Sequence, residues 1–221
     1  MTELRALVWL LKKDFLIDYR SPVNVSIQAI FSIAAGIVVG MVYRGSVWPA
    51  SSMLPPSLVI VILFQSVFSA YNSFLKEVES GTIEGLRLIP VGGGVVYSAK
   101  MFYSTTSIFI FTVLYTGALA FFSGGVDVYM TGVIVWIIAA SLMLGSVSSL
   151  ASAMMVYSRS ANLMAPALIL VLSAPFFYIA SNPLNTIAQG YSPEPGWGSQ
   201  LLVMGLGFYI VAVILSKYII E

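Results

Sequence analysis

The chain has 221 residues, 59% of them apolar and only 9% charged, against roughly 45–50% and ~25% in soluble globular chains. Ten basic and nine acidic side chains are too few to cover a water-soluble fold of this length, and a net charge of +1 with no basic run longer than Lys12–Lys13 gives no case for nucleic-acid binding. Cysteine and histidine are absent, which excludes disulfides, thiolate nucleophiles and the commonest metal ligands.

Residues 2–20 come first. Leu4, Leu7, Leu11 and Phe15 recur at three- and four-residue spacing, while Arg5, Lys12, Asp14 and Asp18 lie mostly elsewhere on the helix. This predicts an amphipathic helix at the lipid headgroups, with Trp9 and Tyr19 as interfacial anchors. Lys12, Lys13 and Asp14 interrupt the apolar run too early for a signal peptide. Pro22 disfavours helical geometry at Ser21 and ends the segment. Two roles are open: a surface helix that orients the first span, or an elbow packed on other helices.

Six apolar stretches follow: Val23–Tyr43, Ser57–Phe74, Met101–Phe122, Val128–Tyr157, Asn162–Ile179 and Ser199–Tyr218. A helix needs about 20 residues to cross ~30 Å of hydrocarbon, and the only charge in these stretches is Lys217, at the closing boundary of the last. The expectation is an all-α integral membrane protein of six transmembrane helices, forming one domain over 1–221. Six crossings bring both ends to one side. Arg5, Lys12, Lys13, Arg20, Lys76, Arg87, Lys100, Arg159 and Lys217 lie there, and Arg44 alone lies opposite. Cationic loops resist translocation, so that side reads as cytoplasmic and the protein as multi-pass in the cell membrane with both termini inside.

In the first span, Gly36 and Gly40 form a Gly-x-x-x-Gly pair. Between the second and third spans, residues 75–100 form a polar cytoplasmic loop carrying six of the nineteen charges. Ser80, Gly81 or Thr82 can cap a helix start, Glu84 suits its first turn, and Pro90 with Gly92–Gly94 stops it. A helix this short needs a surface to lie on. That surface is the headgroups, the protein's own bundle, or a docked partner.

In the fourth span, Ser141, Gly145, Ser149 and Ala153 make a ridge that, like the glycine pair, allows close helix packing within the subunit or across a dimer. Pro166 and Pro175 predict kinks in the fifth span. Residues 181–198 contain Pro183, Pro193, Pro195 and three glycines, which predicts an extracytoplasmic loop with no more than a turn near Leu184–Gln189.

Apart from Lys217 at the closing boundary, no acidic or basic group lies within these spans, whereas ion-driven carriers usually show some in the membrane interior. Gly92–Gly94 is not followed by Gly-Lys-Ser/Thr, so the chain has no phosphate-binding loop either. It reads as a non-catalytic subunit without a cofactor, and any ATP hydrolysis belongs to another subunit.

The run Glu79-x-Gly81-Thr82-x-Glu84-x-Leu86-x-Leu88-x-Pro90, with Ala99-Lys100 after it, resembles the first cytoplasmic loop of ABC-2 type (type V exporter-like) permeases. Within these the chain resembles the CcmB family, heme exporter protein B, with Ala161–Ala180 similar to that family's fifth helix. The resemblance implies a permease subunit that couples ATP hydrolysis elsewhere to heme export, or to release of a heme chaperone, in cytochrome c maturation. It implies a homodimer, a CcmA-like cytoplasmic ATPase partner and neighbouring heme-handling membrane proteins. Glu79, Gly81, Thr82, Ile83, Glu84, Leu86, Arg87 and Leu88 would form the coupling helix. An ABC-2 permease for a lipid, glycan or drug-like molecule, and a scaffold that moves nothing, are the alternatives.

Overall fold

A computed structural model describes residues 3–20, 22–45, 50–83, 85, 91–124, 130–156, 158 and 161–220. The described residues form helices and no strands: α1 (Glu3–Arg20), α2 (Val23–Gly45), α3 (Ala50–Ala70), a π-helical turn (Tyr71–Leu75), α4 (Lys76–Glu79), α5 (Gly93–Ser123), α6 (Met130–Met154), α7 (Ala161–Ala188) and α8 (Trp197–Ile220). The α3 rod continues through the π turn into α4. Six helices are long and apolar enough to cross a membrane. The protein is an all-α, multi-pass membrane protein.

The helix α6 sits at the centre. Every residue from Met143 to Ala153 is buried, because α5, α7, α8 and α3 all pack against it. A helix enclosed on all sides tolerates only small side chains at its close approaches, and Gly145, Ser146, Ser148, Ser149, Ala151, Ser152 and Ala153 meet that need. A Cβ on Gly145 would stand 2.2 Å from Thr105 Oγ1 and 2.8 Å from its backbone nitrogen, so this glycine seats α6 on α5. Ser141 and Ser149 are also buried, and the Ser149 hydroxyl donates to the Gly145 carbonyl. Gly36 and Gly40 turn toward α5: a Cβ there would meet the Tyr115 carbonyl at 2.7 Å and Phe122 Cβ at 2.9 Å. Both close approaches lie within one subunit.

The bounds depart from the sequence expectation in four places. The second span does not end at Phe74 but runs to Glu79, and the third starts at Gly93, so Lys76, Glu77 and Lys100 lie in helices. Gly92–Gly94 begins a helix here: Gly92 is the N-cap of α5, and its carbonyl takes the Val95 amide at 2.9 Å. Gly81 ends a helix where a start was expected. Its φ of +67° suits a residue without Cβ, its amide donates to Val78 O (3.1 Å), and the Thr82 amide donates to Glu77 O (2.9 Å). That reciprocal pair is a Schellman stop. Lastly, α7 runs through Pro166, Pro175 and Pro183 to Ala188, so much of the expected 181–198 loop is helical. Gly190 (φ +83°) closes it by the same two-bond pattern, with Gly190 N to Ile187 O and Tyr191 N to Thr186 O.

The helix α1 packs mainly against α5. Its buried face is Ala6, Leu10 and Asp14, whereas Leu4 and Phe15 are exposed. The face differs from the expected leucine stripe because an acidic residue, Asp14, is drawn inward by a buried lysine. The packed elbow is the role the structure shows.

Candidate functional site

Three pieces of chain meet at the end of the bundle that carries α1. Asp14 and Asp18 come from α1, one helical turn apart. Lys76 and Glu77 come from α4, after the π turn. Lys100 and Tyr103 come from the second and third turns of α5. At 31 residues, α5 is about 46 Å long, some 16 Å more than the hydrocarbon, so the helix is long enough to span the apolar layer with Lys100 outside it.

Lys100 is 3% exposed and donates to Glu77 Oε1 at 2.6 Å and to Asp14 Oδ1 at 3.0 Å. Lys13 donates to the same Glu77 oxygen at 2.7 Å. Lys76 pairs with Asp18 at 3.2 Å, and the Tyr103 hydroxyl donates to Asp18 Oδ2. Three ammonium groups thus face three carboxylates, and the cluster is neutral. Burial works against the Lys13 ammonium, but its hydrogen bond to Glu77 and the charges of Asp14 and Glu77 outweigh that and raise its pKa above the usual lysine value. A cavity of about 400 Å³ opens between these groups, with Asn72, Ser80, Thr82 and Gly85 completing its wall.

The π turn aims the carboxylate. Its wider winding leaves amides that an α-helix would satisfy, and Ser152 of α6 takes two of them, Phe74 N at 2.9 Å and Leu75 N at 3.2 Å. Asn72, within the turn, accepts from Asn24 of α2 at 3.1 Å. The turn is therefore held from two sides. Glu77 in turn holds the chain that follows: its carbonyl takes both the amide and the hydroxyl of Thr82, at 2.9 and 3.3 Å. Ile83 is half-buried against the cluster of Leu10, Phe74 and Val96, so it faces this bundle.

Of the expected coupling residues, Glu79, Gly81, Thr82 and Ile83 are brought together at the root of the loop; the Glu79 carboxylate accepts from Tyr71 at 2.6 Å. Glu84, Leu86, Arg87 and Leu88 lie outside the described residues. Sequence reasoning missed Asp14, Glu77 and Lys100 as a unit. A signal existed, since Ala6, Leu10 and Asp14 recur every fourth residue and Lys100 interrupts an apolar run.

The model for the family described as CcmB protein matches residues 5–221. The chain belongs to the CcmB family. That family is the membrane permease component tied to heme export in cytochrome c maturation. No curated protein matches the chain.

Proposed function

We propose that this CcmB-family chain couples ATP hydrolysis by a separate cytoplasmic subunit to heme export, or to release of a heme-loaded partner, during cytochrome c maturation. Two copies work with two ATPase subunits. The end carrying α1 and both termini faces the cytoplasm, as the nine cationic residues on that side favour. The segment from Glu79 through Leu88 is the docking element, with Glu84, Leu86, Arg87 and Leu88 meeting the ATPase and Ile83 tying the segment to its own bundle.

One observation carries this reading. Glu77 holds the root of the docking segment through its backbone carbonyl and holds α1 and α5 through its carboxylate. A push on the segment therefore reaches two other helices through one residue. Cross-membrane motion needs such a rigid link, because packed helices shift between discrete arrangements and do not bend continuously.

Co-purification tests the docking. At equal membrane level, Glu84→Lys and Leu86→Ala should lower recovery of the ATPase subunit, by about 2 kcal/mol or more for the charge reversal at a buried contact. Glu194→Lys, an exposed residue at the opposite end of the bundle, should leave recovery unchanged. Equal recovery of all three variants would remove the docking role.

A further inference from the structure

Gln65, Ser69, Ser73 and Glu77 recur every fourth residue along α3 and its continuation, and their exposures are 0%, 0%, 0% and 7%. Each holds a buried oxygen without a hydrogen-bond partner: Gln65 Oε1, Ser69 Oγ, Ser73 Oγ and Glu77 Oε2. Ser104 on α5 and Ser141 on α6, two of the helices that α3 packs against, each hold another. The π turn keeps the row in line. Twelve residues at about 100° each would put Glu77 about 120° away from Gln65, and the extra residue of the turn brings it back to within about 20°. The row spans about 18 Å at 1.5 Å per residue, more than half of the ~30 Å hydrocarbon layer.

Buried polar atoms in native proteins are nearly always bonded, to protein or to ordered water, and a lipid surround makes an unbonded one costlier still. One orphan hydroxyl in a helix is ordinary. Four in helical register, beginning at an ion cluster beside a cavity, are not. The polar row ends at Gln65: Ile62, about one turn further along the same face, is fully buried and apolar.

We propose that this seam is wet: a file of internal water molecules runs from Glu77 to Gln65 between α3 and the α5–α6 pair. At its inner end the Gln65 amide is fixed by Ser32 of α2 at 2.7 Å, which stops the file short of the opposite surface. Water bridges exchange partners at little cost, so the stretch of α3 and its π turn from Gln65 to Ser73, beyond the Glu77 joint, can adjust against α5 and α6 where a close-packed apolar seam would resist. The file binds water and no other ligand, and it does not depend on which partner docks on the loop.

The absence of cysteine makes the test direct, since each single-cysteine variant carries one thiol. The full chain in lipid nanodiscs, with no nucleotide and no second subunit, is treated with a small charged methanethiosulfonate. Ser69→Cys and Ser73→Cys should react about tenfold or more faster than Ile62→Cys in the dry core and Phe64→Cys on the apolar surface, because the reactive thiolate forms only where water reaches it. Melting gives a second readout that needs no thiol. Ser69→Ala and Ser73→Ala should each lower Tm by about 2–4 °C, since each loses a water-bonded hydroxyl. Labelling no faster than at Ile62→Cys, or alanine variants that melt at or above the parent temperature, would mean the seam is dry and would overturn the proposal. The coupling role of the loop would stand untouched by that result.

Discussion

Glu77 works in two directions, and the residues around it show which interactions matter. Its carboxylate meets two lysines on one oxygen, 2.6 Å from Lys100 and 2.7 Å from Lys13. Lys100 is enclosed, whereas the Lys13 side chain is 39% exposed and partly screened by solvent. Removing Lys100 therefore leaves Asp14 and Glu77 buried without their main countercharge. That kind of loss costs about 3–5 kcal/mol, so Lys100→Met should lower Tm by at least about 6 °C in a thermal unfolding scan. Lys12→Met, whose ammonium only lies over the exposed Trp9 ring, should melt within about a degree of the parent. Lys13 also sets a pH dependence. Its pKa is raised in the fold, so its contribution is fully present below the unfolded value of 10.5 and is lost as pH rises through the higher folded value. Tm measured from pH 7 to 11.5 should show this as a decline above about pH 10.5 that is shallower in Lys13→Met.

At the scale of elements, the two glycine contacts and the Gly81 stop do different work. Gly145 and Gly36 are close approaches between backbones, where even one methyl group meets α5 below 3 Å. Gly145→Ala and Gly36→Ala should each destabilise by about 1–3 kcal/mol through overpacking. Gly117→Ala and Gly207→Ala face open space and should not, which the same melting assay compares side by side. Gly81 has open space around it but a positive φ, so Gly81→Ala should cost about 1 kcal/mol by backbone strain and loosen the loop root instead of the bundle. The spans themselves were legible because each apolar run approaches or exceeds the length a bilayer needs. Helix ends were not. Lys76, Glu77 and Lys100 read as loop residues because charges in sequence look solvated, and the partners that permit their burial are far away; Asp14 is 86 residues from Lys100. Prolines misled in the opposite sense. Pro183 suggested a loop, yet α7 runs through it, with the indole of Trp136 in the central helix bonded to the Ala180 carbonyl at 3.1 Å.

The whole molecule is a central helix packed by four others, with α2 set against α5 and an elbow latched to α4 and α5 by charge. Its family and its membrane class were readable from the Gly81-Thr82 loop pattern and the six spans. The latch was hidden, since it depends on three segments that only folding brings together. Its proposed role is to carry force from the loop, and ATP turnover by the reconstituted complex with its ATPase subunit measures that most directly. The account predicts that Lys100→Met keeps the ATPase bound but loses about tenfold or more of the turnover that the parent chain supports, with Lys100→Arg recovering part of it. Glu194→Lys should match the parent. Turnover by Lys100→Met equal to that of the parent, at equal ATPase recovery, would contradict the claim that motion passes through the Glu77–Lys100 joint.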